Sequence, residues 1–159
     1  MLKGLSKKYN EYINDAIQIA KKSCMRCKHG AVIIQNGGIV ACGHNYSTHQ
    51  CVYHNKYSVH AEINAIFDFF ARNKINNKNK KKVLHNAFMI VIRVDNDGSF
   101  KNSKPCSNCA RMICKYNINT IFYSVSDLDK YKDISNIEQI NLLDILRGKY
   151  KQLTYQPSN

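Results

Sequence analysis

No stretch of this sequence approaches the roughly 18–20 consecutive apolar residues that a membrane-spanning helix requires, so no membrane partner is expected. Tryptophan is absent. That removes the best stacking side chain from any single-stranded nucleic acid surface, and the ten tyrosines are not clustered to replace it. Acidic residues are scarce, 11 against 24 lysines and arginines, which leaves a formal net charge of +13. Such an excess favours anionic partners, from nucleotide phosphates to polynucleotides, without choosing among them. Residues 1–22 mix lysines with apolar positions and hold no continuous apolar stretch, so no secretory signal is expected. An intracellular address follows, cytoplasmic by default with a nuclear one left open. The even set of cysteines that staples a small secreted scaffold is missing too. The seven present in 159 residues point to metal ligands, reactive thiols or buried fillers.

What is there reads as one domain over residues 1–159, with 44% hydrophobic residues to build a core. Residues 5–22 place Leu5, Tyr9, Tyr12, Ile13, Ala16, Ile17 and Ala20 at helical spacing. Residues 29–45 form two short β-branched runs around Asn36-Gly37-Gly38, a hairpin signal because Asn and Gly tolerate the positive φ of tight turns. A second helical pattern covers 60–71, and the basic, low-complexity 73–82 reads as an exposed loop. The apolar run 87–94 suggests a strand covered on both faces, and "DNDGSF" turns the chain towards a helix opening near Pro105. A strand over 118–125 and a final helix over 137–146, with Gly148 just past its end, complete the order. This alternation predicts a three-layer α/β/α sandwich around a mixed central sheet. Its core spans about residues 25–125, with an N-terminal helix before it and a C-terminal helical extension after it.

Two stretches carry chemistry. In "SKPCSNC", Pro105 opens a helix, so Cys106 and Cys109 lie at i and i+3 and face one way. The positive end of that helix favours thiolates, the form that binds zinc. A catalytic zinc usually takes three protein ligands and keeps one position for water. In "SVHAEINAI", His60 heads an apolar helix and supplies the third ligand. Glu62, two residues on, can take a proton from the activated water and return it to a substrate nitrogen. Alone, either motif has an ordinary reading: a chance His-x-Glu, or half of a structural zinc site or redox pair. Together, in this order and with a strand between them, they match the signature of the zinc deaminases.

The chain resembles the cytidine/deoxycytidylate deaminase superfamily over about residues 25–125, through "CKHGAVII", "CGHN", "HAEINAI", "SKPCSNC" and "TIFYS". The resemblance implies a cytidine deaminase-like fold, a Zn2+ cofactor held by His60, Cys106 and Cys109, and proton transfer by Glu62. It also implies substrate contacts at Asn45 and Ala61, and hydrolysis of a cytosine ring to the uracil form with release of ammonia. "HAEINAI" is most similar to the deoxycytidylate deaminases, so the expected partner is a small cytosine nucleotide or nucleoside. An RNA or single-stranded DNA substrate is the second reading, carried by the charge, and a catalytically silent zinc-binding interaction domain is the third. At least a dimer is expected. The histidine-rich 44–60 segment, with His49, Cys51 and His54, could join Cys24 or Cys27 in a second, structural zinc site, or could simply be a polar loop. Cys42 and Cys114 fit small apolar core positions, and Arg26, Lys28 and Arg111 are candidate phosphate contacts.

Overall fold

The helical spacing near the N-terminus folds as expected. The computed structural model describes residues 7–48, 57–75, 83–126 and 137–141, and within these Lys7–Lys21 form helix α1. Strands β1 (Lys28–Gln35) and β2 (Gly38–His44) follow as an antiparallel hairpin. Its turn residues Asn36 and Gly37 have φ of 51° and 75°, the left-handed pair that matches the twist of the flanking strands. The Tyr12 hydroxyl donates to the Gly37 carbonyl at 2.6 Å and ties α1 to that turn. Strands β3 (Tyr46–Thr48) and β4 (Tyr57–Val59) pair with each other in a small separate sheet. Then come helix α2 (Ala61–Asn73), strand β5 (Phe88–Val94), strand β6 (Phe100–Lys101), helix α3 (Ser107–Lys115), strand β7 (Thr120–Ser124) and strand β8 (Ile137–Asn141).

The main sheet runs β2-β1-β5-β7-β8, with β6 on the end of β5. Strands β5 and β7 are parallel and the other pairs antiparallel, so the sheet is mixed. Alternation along the strands divides the core in two. Val32, Ile34, Ile90 and Ile92 pack with Tyr12, Ile13, Ala16 and Ala20 of α1. Ala31, Ile33, Met89 and Val91 pack with Ala61, Ala65, Ile66, Ala110 and Ile113 of α2 and α3. The three-layer α/β/α sandwich around a mixed central sheet is the observed fold. Among the described residues no helix is long and apolar enough to cross a membrane.

One element differs from expectation. Ile137–Asn141, assigned by its spacing to a final helix, is strand β8, with Ile137 opposite Ser124 and Ile140 opposite Ile121 of β7. The two isoleucines stand three apart, which suits one helix face. In a strand the same interval puts them on opposite faces, and Ile137 enters the α1-side core while Ile140 enters the α2/α3-side core. Pairing also satisfies backbone groups that β7 would otherwise leave open at an edge. Residues 142–148 of the expected helix and 76–82 of the basic loop lie outside the described residues.

Two local devices place the site. Gly43 on β2 lets α2 lie against the sheet: a Cβ there would sit 2.3 Å from the Ala65 nitrogen and 2.7 Å from the Ala61 carbonyl oxygen. The loop before α3 is stitched down by buried serines. Ser103 Oγ donates to the Val91 carbonyl at 2.7 Å and accepts the Ser124 N–H at 2.8 Å, while Ser124 Oγ reaches the Lys101 carbonyl at 2.7 Å. Buried polar groups persist only when paired, and this pairing fixes the chain three residues before Cys106.

Candidate active site

The N-terminal end of β1, the C-terminal ends of β2 and β5, and the N-termini of α2 and α3 meet at one end of the sheet. Antiparallel register sets this, because Gly30 pairs with His44 and Lys28 with Val94. His60 is the N-cap of α2 and Cys106 the N-cap of α3. His60 Nδ1 lies 3.2 Å from Cys109 Sγ and 3.9 Å from Cys106 Sγ. One donor atom from each of these residues lies within 4.8 Å of the other two.

The arrangement suits zinc. Ordinary Zn–S and Zn–N lengths at a tetrahedral angle put a sulfur and a nitrogen roughly 3.6 Å apart, and the two observed separations bracket that value. The donor set, one imidazole and two thiols, is the borderline-soft kind zinc takes. The N-terminus of α3 supports the cluster, with the Cys109 N–H pointing at Cys106 Sγ over 3.5 Å.

Electrostatics separate the two thiols. The Cys106 thiol is pulled down to about 5, chiefly by the hydrogen bond from Cys109, with the Cys109 and Asn108 N–H groups and His60 helping against burial. Cys109 is pushed up, because it is the donor to Cys106 and is buried beside Glu62. Thiolate character is therefore concentrated on Cys106, and binding a divalent ion must release the proton that Cys109 retains.

Glu62 sits in the first turn of α2 and is only 5% exposed. Burial raises its pKa above the ordinary 4.5. The residue borders the same cavity as His60 and Cys106, which sets it beside the cluster. The His60 side chain makes no capping hydrogen bond to α2.

Beside the cluster lies a cavity of about 240 Å³, whose lining includes His29, Asn45, His60, Ala61, Glu62 and Cys106. All of the expected site residues except the buried Cys109 border it. The Asn45 side chain also has a structural task. Its Oδ1 accepts the His29 N–H at 2.8 Å, and its Nδ2 donates to the Cys27 carbonyl at 2.7 Å and faces Met25 Sδ at 3.3 Å. Met25, His29, Ser58, Ser103 and Lys104 complete the lining and were not anticipated. A signal for His29 existed: like His60, it is a polar group heading an apolar run. Among the described residues Lys104, rather than Arg26, Lys28 or Arg111, is the lysine or arginine on this wall. Of the second-zinc candidates, His49, Cys51 and His54 lie outside the described residues, while Cys24 is exposed and Cys27 half-buried. Cys42 and Cys114 are half-buried against the two cores.

The sequence pattern of the cytidine and deoxycytidylate deaminase zinc-binding region matches residues 6–125, well over half of the chain. The chain belongs to this family. Solved structures show the same fold at low identity. A dCMP deaminase from the cyanophage S-TIM5 is 21% identical, covers 91% of this chain and 94% of its own, and has a TM-score of 0.56. A cytidine deaminase from Burkholderia pseudomallei is 16% identical over 89% and 96% of the two chains, with a TM-score of 0.59. One from Mycobacterium tuberculosis is 16% identical over 89% and 95%, with a TM-score of 0.54. No curated protein matches the chain at a significant level.

Proposed function

We propose that this deaminase-family chain is a zinc-dependent hydrolase acting on a cyclic amidine, converting a small cytosine nucleotide or nucleoside, dCMP-like, to its uracil form and ammonia. The observation that carries the proposal is the buried Glu62 carboxyl set against the His60, Cys106 and Cys109 cluster at the foot of a cavity. A silent zinc domain would have no use for that acid, and burying an ionisable group without a task is costly.

His60, Cys106 and Cys109 would hold the zinc, which when bound would supply the Lewis acidity that activates the attacking water. The residues of the chain do the rest. Glu62, with its raised pKa, takes up a proton readily, delivers it to N3 of the ring and carries a second one to the departing amine. The serine-anchored loop holds Cys106, and Gly43 holds α2 close enough for His60 and Glu62 to share the site. Asn45 and Ala61 form the wall against which the base or sugar lies.

The net charge of +13 favours a polynucleotide instead. Offering dCMP, CMP, cytidine, deoxycytidine and short oligonucleotides to the zinc-loaded protein and following ammonia separates the readings. Monomer turnover supports the proposal, while turnover of oligomers alone, or of nothing, overturns it.

A further inference from the structure

His29 is not among the residues that the zinc chemistry employs, yet it lines the same cavity. It pairs across the β1–β5 ladder with Arg93, so both side chains emerge on the α2/α3 face of the sheet. Its ring is oriented by the backbone before it: His29 Nδ1 lies 3.3 Å from the Cys27 carbonyl. A carbonyl oxygen only accepts, so this contact places the proton on Nδ1. That carbonyl is itself held by Asn45 Nδ2, and Asn45 Oδ1 takes the His29 N–H. One amide thus clamps the chain on both sides of Lys28. Arg93 reaches Cys27 Sγ with Nη2 at 3.2 Å and stands beside the ring as a fixed positive charge. Burial, then Arg93 and His60, lower the His29 pKa against the opposing Cys27 hydrogen bond, which keeps the imidazole neutral. A neutral ring with its proton on Nδ1 has a bare lone pair on Nε2, and that atom has no hydrogen-bond partner among the described residues.

We propose that His29 is a specificity-determining residue whose Nε2 accepts a hydrogen bond from a sugar hydroxyl of the substrate. The inference rests on the proposed function and deepens it. An acceptor needs a donor, and the amine of a cytosine belongs beside Glu62, where the chemistry occurs. A phosphate monoester is mainly a dianionic acceptor at neutral pH, so the hydroxyls of the sugar are the principal donors that remain. Asn45, its amide committed to Cys27 and His29, acts as the positioning residue behind His29.

The test crosses the side chain with the substrate. Deoxycytidine and 2′,3′-dideoxycytidine differ by the 3′-hydroxyl. With the zinc-loaded wild type, kcat/KM should favour deoxycytidine by roughly tenfold, the size of one well-made hydrogen bond. His29→Phe should bring that ratio near one, through a higher KM for deoxycytidine, and His29→Gln, which keeps an acceptor, should restore part of it. A preference unchanged in both variants, alongside normal ammonia release, overturns the inference and leaves the proposed function standing. Calorimetric binding of the same two nucleosides gives a readout free of turnover. Selective binding that depends on residue 29 supports the inference even if no ammonia appears, and binding of neither compound overturns the inference while the proposed function is decided separately by turnover of dCMP. Nitrogen NMR of the His29 ring should show the Nδ1–H tautomer, and the Nε2–H tautomer would overturn the proposal.

Discussion

His60 Nδ1 and Cys109 Sγ lie 3.2 Å apart although 49 residues separate them in the chain. Neither side chain has reason to approach the other in a metal-free core. Both are placed by helix N-termini that the sheet delivers to one end, and the gap between them is the right size for an ion. Cys109→Ala should therefore reduce bound zinc from about one per chain to a small fraction after dialysis, measured by elemental analysis. In the metal-free wild type Cys106, held near 5, should be alkylated rapidly at about pH 6, and zinc should protect it. Full zinc retention by Cys109→Ala would remove that cysteine from the site.

Glu62 makes a prediction about stability rather than rate. Its carboxyl is nearly inaccessible and its pKa is raised by burial. The native state therefore binds more protons than the unfolded chain as pH rises past the ordinary 4.5. Stability that is present below that value is lost as pH climbs through the raised one. Metal-free Glu62→Gln should consequently melt at a higher temperature than wild type above neutral pH, with the advantage vanishing in acid. A wild type that is more stable than the variant at high pH would mean that the carboxylate is stabilised rather than strained.

Gly43 gives a packing test. A methyl group there meets backbone atoms of α2 at 2.3 and 2.7 Å, which cannot rotate away. Gly43→Ala should cost about 1–3 kcal/mol by denaturant titration, and should weaken zinc binding because α2 carries His60 and Glu62. Gly38, in the same strand, has nothing within 4 Å of such a methyl and serves as the control. Equal effects at the two positions would contradict the close approach.

The parts of this fold that were legible in the sequence are those where periodicity runs long enough to be read. Helix α1, the β1–β2 hairpin, α2, β5, α3 and β7 each stand where spacing or a turn residue put them. Strands β3, β4 and β6 are two or three residues long, too short to carry a pattern. Strand β8 was misread because isoleucines three apart serve one helix face or two sheet faces equally well, and only the open edge of β7 decides between them. The meeting of His60 with Cys106 and Cys109 was legible because His-x-Glu and Cys-x-x-Cys are local signatures that occur together in one family. The clamp of Asn45 on Cys27 and His29 was not, since it depends on β1 and β2 lying side by side and no local pattern announces it.

The most direct measurement is ammonia release from dCMP, CMP and their nucleosides by zinc-loaded wild type and by Glu62→Gln matched for zinc content. A buried proton carrier beside a metal predicts turnover by the wild type and a loss of about 10²–10⁴-fold in the variant. Wild-type rates in a zinc-loaded Glu62→Gln protein, or a wild type inert towards every cytosine monomer, would contradict it.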